Sequence, residues 1–516
     1  MTSVHTRWLV RVGTPFARAV AATLAFAADA PAAWSQQSTA GGLEEVVVTA
    51  TRREANLQTI PVAVSAITGQ ALADNKLFSA RDLANATPSF SFTAFTPLDQ
   101  ELNIRGITNT RLDSPSSDPS VGTFVDGVYI GRTGDYNFDF YDLERIEVIR
   151  GPQGVLLGKN VVGGALSVIT ASPSQDTSSE VTASYGNYSA ILLGGHVNGG
   201  LTDTLSGRLS VQYRRHDGYA EDVLHHRDVD DLDSKQLRGQ LLWEPGDGWR
   251  IRGIFDYTDD DSNGMNAVAV EGGTESCETS YLRTNCTRPW SNARAYLGLT
   301  DPRQSMPMSA QFKDLPLQQQ TLSRSGHGAT LDIAKEWSWA TFNSLTGYRS
   351  TDTNHLFDQP GVGPEALGWS VPQWFSYIAY VDARYGVRPP SSNQGSVLFE
   401  LANGEKVNAD SISQEFRLTS NSDGRFDWIV GAYYKRDDIN KDDVFYSENF
   451  FGVFANNQPI PNFLSTTSGQ SNWYNDGKMK NYALFGQLGF KFTDSLKLSV
   501  GLRQTWDKKE GNVQGF

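Results

Sequence analysis

The glycines between residues 151 and 164 are the feature of this sequence whose spacing comes closest to a chemical site. Loops that cradle phosphate read G-x-x-x-x-G-K-[ST], because their backbone N–H groups surround the anion and the lysine reaches it. Here Asn160 follows Gly158 and Lys159 where Ser or Thr is required, and Gln153 stands where the first glycine should be. The pattern fails at two positions, so we exclude a nucleotide-binding loop.

Other catalytic signatures are also missing from the sequence. It contains no G-x-S-x-G, no H-E-x-x-H, no Cys/His cluster and no carboxylate pair that we would assign to acid–base catalysis. We therefore predict that the chain is not an enzyme and needs no cofactor. The net charge of −14 over 516 residues argues against nucleic acid as a partner.

Two apolar runs flank the glycines and must position them. Residues 143–149 alternate as a short strand does, and residues 165–170 form a second apolar run of strand length. The glycines between the runs allow tight backbone turns. An ordinary pair of turns is the simplest interpretation, but the order R-G-P-Q-G-V at 150–155 is more than turn chemistry requires.

The whole segment 142–170, DLERIEVIRGPQGVLLGKNVVGGALSVIT, resembles the plug signature of TonB-dependent outer-membrane receptors. That family has the form L-E-R-I-E-V-x-R-G-P-x-x-x-L-x-G-x-x-x-x-G-G. One departure is that Leu166-Ser167 stand where an Asn is common. Residues 103–106 and 124–129 resemble further plug motifs, the second as a hairpin with Asp-Gly at its turn. The resemblance implies these plug-motif residues: Arg105, Gly106, Asp126, Gly127, Arg150, Gly151, Pro152, Gly154, Gly158, Gly163 and Gly164.

A β-prone segment, LEEVVVTATR, precedes the plug at residues 43–52. Such a segment can add to the sheet edge of another protein, where main-chain hydrogen bonds supply the affinity. Taken alone, the segment is better interpreted as an ordinary first strand. Followed by a plug signature, it resembles the family's TonB box. We assign the box to Glu45, Val46, Val47, Val48, Thr49 and Ala50.

The N-terminus has the features of a secretory signal. Three arginines precede a short apolar stretch, and Ala33-Trp34-Ser35 fits a small-x-small cleavage site. A disordered or membrane-anchored leader is the alternative. We predict a signal peptide at 1–35, a periplasmic segment with the TonB box at 36–55, a plug at 56–175 and a partial barrel at 176–516.

From about residue 178 the pattern changes to period two. Residues 206–214 show it best, with Gly, Leu, Val and Tyr on one face and Ser, Arg and Gln on the other. No apolar run reaches the roughly 18–20 residues of a membrane helix. Short connections alternate with long ones, and the long ones lie at about 218–233, 261–323, 353–407 and 439–477. Short turns at one rim and long loops at the other are typical of outer-membrane barrels.

Aromatic residues lie near the short connections, as in the girdle at a membrane interface. Core packing is the alternative for any one of them. They are Trp243, Trp249, Trp337, Trp339, Phe426, Trp428, Phe490 and Phe492.

The fold class that follows is mainly β, an N-terminal α+β plug followed by an antiparallel transmembrane β-barrel. We count about eleven strands, whereas plugged outer-membrane transporters have about 22. Half a barrel would leave strand edges unpaired in lipid. We therefore expect an incomplete sequence, a truncated product or a split protein that a second chain completes.

Three pairs of residues leave alternatives open. Cys277 and Cys286 share the longest predicted loop, where we expect a disulfide rather than a metal or redox site. The His pair at 225–226 is interpreted as solvated, with metal or haem binding as the alternative. Arg105 and Arg150 are either buried against carboxylates or solvated.

The resemblance implies active import across the outer membrane of a Gram-negative bacterium. The box would pair with TonB, which the inner-membrane proton gradient energises, and the plug would rearrange to pass a small ligand. A ferric siderophore is the expected cargo; haem, cobalamin and oligosaccharides are the alternatives. A passive porin and a surface-binding barrel are rivals from other classes. The expected partners are TonB with its inner-membrane complex and outer-membrane lipid, and the protein is expected to be a monomer.

Overall fold

The structure is a computed structural model, and it describes most of the chain from residue 47 onward. The described residues are 47–49, 52–53, 55–58, 60–94, 100–108, 118–131, 140–222, 227–264, 304–305, 321–358, 369–370, 396–421, 424–451, 454–455, 458–459, 465–493 and 496–515. Several predictions concern residues outside these ranges and stay predictions: those for the signal peptide, Glu45, Val46, Ala50, His225, His226, Cys277 and Cys286.

Short strands and two helices form the N-terminal domain. They are β1 (Val47–Val48), β2 (Ala55–Asn56), β3 (Ala63–Thr68), α1 (Gly69–Asp74), α2 (Ala80–Ala86), β4 (Phe90–Ala94), β5 (Gln100–Ile104), β6 (Val121–Val125), β7 (Val128–Ile130), β8 (Leu143–Arg150) and β9 (Gly164–Thr170). The central sheet has the order β3-β8-β9-β6-β7, and within it the β6–β9 pair is parallel. β1 pairs with β2, and β4 pairs with β5.

Helix α2 begins after Ser79, which caps its first turn. The Ser79 hydroxyl accepts a hydrogen bond from the Asp82 backbone N–H at 3.3 Å, which satisfies one of the free donors of the first turn. Asp82 in turn accepts from the backbone N–H of Phe78 at 3.0 Å. Together these two hydrogen bonds fix the start of α2.

Both faces of the central sheet are buried. Ile146 and Val148 pack with the helices in one apolar cluster, whereas Ile149 and Ala165 pack in a second cluster on the other side. All four side chains are at most 1% exposed, and burial of each isoleucine contributes roughly 1.5–3 kcal/mol. A sheet covered on both faces explains why its strands are almost continuously apolar.

The rest of the described chain is mostly one large antiparallel sheet. In chain order its strands and those of its connections are β10 (Ser178–Tyr185), β11 (Ile191–Thr202), β12 (Leu205–His216), β13 (Ala220–Asp222), β14 (Arg227–Val229), β15 (Leu232–Gly246), β16 (Trp249–Ser262), β17 (Gln304–Ser305), β18 (Thr321–Glu336), β19 (Ala340–Asp358), β20 (Trp369–Ser370), β21 (Ser396–Ser420), β22 (Phe426–Phe451), β23 (Phe454–Ala455), β24 (Gln458–Pro459), β25 (Ser465–Thr493) and β26 (Leu496–Gly515). The sheet order is β10-β11-β12-β15-β16-β18-β19-β21-β22-β25-β26, which confirms the predicted count of eleven wall strands.

The last wall strands are longer than predicted. Residues 396–407, 439–451 and 465–477 fall within predicted loops, yet they continue β21, β22 and β25. The loop predictions are wrong there because the sequence does not alternate: residues 397–399 are consecutively apolar, whereas residues 465–472 are polar or Gly throughout. The backbone ladder continues there without hydrophobic alternation.

The two faces of the wall differ as the alternation predicts. Leu209 and Val211 on β12 are 48% and 39% exposed on the outer face, whereas Ser206 and Ser210 between and beside them are 1% exposed. The wall therefore presents apolar side chains outward and polar ones toward the plug. No helix in the described ranges is long and apolar enough to cross a membrane.

The aromatic girdle predicted near the short connections is present. Six of its members are 41–58% exposed: Trp243, Trp249, Trp337, Trp339, Phe426 and Phe492. Trp337 and Trp339 stack at 6.1 Å between ring centroids, and Trp339 contacts Trp428 at 6.3 Å. Phe490 lies 4.8 Å from Phe426 and 4.7 Å from Phe492 by the same measure. This belt marks one membrane interface at the end of the wall where the short connections lie.

Candidate functional site

The first described residues of the box are folded against the plug. Val48 is fully buried. The Thr49 backbone N–H donates to Glu147 Oε1 at 2.9 Å, and the Thr49 hydroxyl donates to the same oxygen at 3.3 Å. Glu147 lies in β8, is fully buried and also accepts from Arg145 Nε at 2.8 Å. One carboxylate oxygen therefore holds the end of the box on the plug.

Two arginines just after the box tie this segment to the barrel wall. Arg52 forms an ion pair with Glu415 of β21 at 3.1 Å and donates to the Gly127 carbonyl at 3.1 Å. Arg53 forms an ion pair with Asp427 of β22 at 3.0 Å. Both arginines thus anchor this segment to the wall, and Arg52 also anchors it to the plug.

The docked conformation of Arg52 carries a cost. Its φ is +60°, in the left-handed region that residues with a Cβ rarely adopt. Its Nε is buried without a hydrogen-bond partner among the described residues, which typically costs about 1–3 kcal/mol. Its backbone N–H donates to the Thr49 carbonyl at 2.9 Å, so the two residues form one turn.

The predicted Asp126-Gly127 hairpin turn is a point where the plug docks on the wall. Both residues have positive φ, 47° and 81°, as the turn between β6 and β7 requires. Asp126 accepts from the Thr170 backbone N–H at 3.1 Å and from its hydroxyl at 2.9 Å. Arg252 of β16 lies 3.4 Å from the Asp126 carboxylate and donates to the Thr170 hydroxyl at 2.7 Å.

A second docking contact lies just before β8. The Asp142 carboxylate accepts from Arg208 Nε of β12 at 2.9 Å and contacts the Ser210 hydroxyl. Burial alone would raise the pKa of Asp142, but the hydrogen bonds from Arg208 and Ser210 and the charge of Arg208 outweigh it and lower the pKa below its ordinary value of 3.8. The ionised carboxylate therefore fastens the plug to the wall.

Neutralising the Asp142 carboxylate should lower the free energy of unfolding by an amount that depends on pH. Because the pKa of Asp142 is lower in the folded protein, its contribution is complete above about pH 4 and is lost as the pH falls through the lowered pKa. We expect Asp142→Asn to cost roughly 1.5–3 kcal/mol at pH 7, the value of a hydrogen bond to a charged group. Thermal unfolding in detergent at pH 7 and at pH 3 measures this.

Asp203→Asn, in the exposed turn between β11 and β12, is the control and should change little at either pH. An Asp142→Asn penalty that grows on acidification would contradict the assignment.

Arg105 and Arg150, whose burial the sequence left open, make no ion pair with a carboxylate in the described part of the chain. Arg105 is exposed, whereas Arg150 is half-buried and donates to the Ser65 hydroxyl at 3.0 Å. The Gly151 N–H donates to the Gly163 carbonyl at 2.9 Å and closes the loop between β8 and β9. Of the other motif residues, Gly106, Pro152 and Gly154 are exposed, and Gly158 and Gly164 are buried.

Two cavities lie between the plug and the wall. The inner cavity, of about 820 Å³, reaches the short-connection end and is lined by Thr49, Arg53, Asn343 and Ser420 among others. The outer cavity, of about 60 Å³, lies farther along the wall strands and is lined by groups that include Lys435. Across the described residues, no group of three or more His, Cys, Asp or Glu side chains is placed to hold a metal ion.

The wall partners of the plug were not identified from the sequence. Glu415, Asp427, Arg208 and Arg252 are polar residues in strands that also carry lipid-facing apolar residues. Such charged positions in an alternating strand point inward, and this is the signal that could have selected them. Nothing in the sequence alone pairs them with a particular plug residue.

The sequence comparisons agree with this architecture. A profile of the TonB-dependent receptor plug domain matches residues 56–165. A vitamin B12 transporter of Photobacterium profundum is 27% identical over 42% of this chain and 36% of its own length. A hemin receptor of Yersinia enterocolitica is 29% identical over 41% of this chain and 31% of its own length. The matched part of the chain thus spans about a third of the length of these curated relatives.

Solved structures share the fold. The ferric yersiniabactin uptake receptor of Yersinia pestis superimposes with a TM-score of 0.62 at 15% identity, over 88% of this chain and 58% of that one. The ferripyoverdine receptor of Pseudomonas aeruginosa gives a TM-score of 0.61 at 15% identity, over 91% and 55% respectively. The predicted outer-membrane location and the prediction of a non-enzymatic protein agree with these transporters and receptors. Residues 56–165 are thus similar to the plug domain of TonB-dependent receptors, and the chain shares the fold of outer-membrane receptors of that kind.

Proposed function

We propose that the chain provides the plug and adjoining wall of a receptor that imports a ferric siderophore when TonB pulls on the box. The proposed parts are a signal peptide at 1–35, a segment with the box at 36–55, a plug at 56–175 and barrel wall at 176–516. TonB with its inner-membrane complex is the proposed energising partner, and the receptor is proposed to act as a monomer in outer-membrane lipid.

The docking of the box is the observation that carries this proposal. β1 is only two residues long and pairs with the equally short β2, so few main-chain hydrogen bonds hold it. The remaining anchors are the side-chain contacts of Thr49, Arg52 and Arg53. A short β-prone segment held in this way can detach and add to the sheet edge of a partner.

The cargo is proposed from the named similarities. The solved structures that share this fold include receptors for ferric yersiniabactin and ferripyoverdine, and one sequence relative is named as a ferrichrome transporter. Relatives named for vitamin B12 and hemin make cobalamin and haem the rival cargoes, with oligosaccharides as a further class. Competition between labelled ferric siderophore and unlabelled haem or cobalamin separates these cargoes.

Substitution of one box residue tests the energised step. Val47→Pro removes a main-chain donor from the strand that must pair with TonB. We expect uptake of a radiolabelled ferric siderophore to fall to the level seen in cells treated with an uncoupler, while binding at the cell surface remains. Val47→Ala keeps the N–H group and should import normally.

All variants are rebuilt with a full-length barrel for this test. Uncoupler-sensitive import by the proline variant at the rate of the parent protein would refute the box assignment. If the uncoupler does not reduce uptake by the parent protein, the protein is a passive porin. If the parent protein binds the ligand without taking it up, the protein is a surface-binding barrel.

A further inference from the structure

The two cavities between plug and wall are separated by a small set of shared residues. Arg52, Phe124 and Leu157 line both cavities, so they form the partition between them. We propose that Arg52 is the removable part of this partition, and that withdrawal of the box opens a passage between the cavities. The inference rests on the proposed function, because it assumes that the box is pulled.

Two members of the partition belong to the fixed core of the plug. Phe124 lies in β6 of the plug sheet, is 2% exposed and packs with Ile149, Val161 and Ala165. Leu157 packs against the same cluster, and its backbone N–H donates to the Gln153 carbonyl at 3.0 Å. These two side chains therefore stay in place unless the plug core itself unfolds.

Arg52 is held differently. It lies outside the described strands, and its guanidinium contacts are the Glu415 ion pair, the Gly127 carbonyl and the Phe124 ring, whose centroid is 5.5 Å from its Cζ. Its backbone N–H bonds to the Thr49 carbonyl, so the turn couples its position to the end of the box. A pull that moves Thr49 toward the periplasm carries Arg52 with it.

The inner cavity is suited to receive a cargo from the outer side. Its volume of about 820 Å³ falls in the range of roughly 300–1,000 Å³ that is usual for small-molecule sites. Between its charged groups it is lined by hydroxyl and amide side chains, including Ser167, Thr330, Thr341, Asn343 and Thr419. Such walls hydrogen-bond a hydrophilic cargo without a single strong binding point. Passage along this side would leave the strand pairs of the plug sheet intact.

Passive permeation of a small hydrophilic solute tests the partition without using TonB. The probe is nitrocefin, whose entry is read from its hydrolysis by a periplasmic β-lactamase. The cells make the Val47→Pro variant rebuilt with a full-length barrel. Arg52→Ala should raise the entry rate several-fold, because it empties the space that the guanidinium fills. Arg52→Met loses the same ion pair but fills most of that space, so it should stay close to the parent rate.

Arg53→Ala is the matched control. Arg53 also anchors the segment to the wall and lines the inner cavity, but it does not line the outer one. All variants must be equally abundant and equally trypsin-resistant in the outer membrane. A nitrocefin entry rate that rises in Arg52→Ala alone then supports the proposal that Arg52 separates the two cavities.

Equal leakage through Arg52→Ala and Arg53→Ala, or no leakage through the folded Arg52→Ala variant, overturns it. Neither result depends on siderophore uptake by the Val47→Pro receptor, so failure of the partition and failure of the proposed function are distinguishable.

Discussion

We expect Gly164→Ala to lose the folded plug and to fail to accumulate in the outer membrane. Gly164 begins β9 with a φ of +144°, which L side chains rarely adopt. A Cβ built there would lie 2.1 Å from the carbonyl oxygen of Ile149. That carbonyl belongs to β8, where the neighbouring Arg150 pairs with Gly164, so it cannot retreat without breaking the central sheet.

The expected loss is a large part of the total stability. The backbone strain alone costs on the order of 1–3 kcal/mol. The displaced strand adds the loss of packing on both faces of the sheet, and a whole domain is stable by only about 5–15 kcal/mol. The amount of trypsin-resistant protein in the outer-membrane fraction measures the outcome.

Gly154→Ala is the control within the same motif. The nearest atom to a Cβ built on Gly154 is the Gly158 carbonyl oxygen at 3.8 Å, an ordinary contact, and no positive φ is required there. This variant should accumulate like the parent protein. The argument fails if Gly164→Ala accumulates to the same level and resists trypsin equally.

We expect Glu147→Ala to destabilise the plug and to release the box together. Glu147 is fully buried and pairs with Arg145, which is only 8% exposed. Breaking a buried ion pair costs about 3–5 kcal/mol when the remaining charge has no other partner. Arg145 keeps the half-exposed Glu144, so we expect a loss at the lower end of that range. The Thr49 N–H and hydroxyl lose their acceptor in the same step. Thermal unfolding reports the first effect, and faster trypsin cleavage at Arg52 and Arg53 reports the second.

Two further variants separate the effects. Glu144 also pairs with Arg145, but its side chain is 49% exposed, so Glu144→Ala should cost less than about 1 kcal/mol. Glu147→Gln removes the charge beside Arg145, so it should also lower the stability of the plug. It keeps an acceptor for Thr49, so trypsin should cleave at Arg52 and Arg53 more slowly than in Glu147→Ala. Equal trypsin sensitivity of Glu144→Ala and Glu147→Ala would show that Glu147 does not hold the box.

Local features of this fold could be predicted because short-range chemistry decides them. The cap at Ser79 depends on a residue three positions away, and the Asp126-Gly127 turn depends on the positive φ of adjacent residues. The wall strands could be predicted from their period-two alternation. This alternation arises because one face of each strand meets lipid and the other meets the plug. The boundaries of β21, β22 and β25 were missed where that alternation is lost.

The contacts that join plug to wall could not be predicted from the sequence. Arg52 and Glu415 are 363 positions apart, and Arg53 and Asp427 are 374 positions apart. Many inward-facing carboxylates on the wall are chemically equivalent as partners for an arginine. Which of them meets Arg52 depends on how the plug is rotated inside the wall, and no local pattern records that rotation.

The length of the late wall strands has a consequence for what reaches the plug. β22 has 26 residues. At about 3.4 Å per residue and a tilt of roughly 40°, it rises about 65 Å, whereas the apolar band of such barrels is only about 25 Å tall. More than half of this strand therefore extends beyond the apolar band of the bilayer. A ligand must diffuse past this extension before it meets the plug, so the rim would admit small solutes and keep bulky extracellular proteins away from the outer side of the plug.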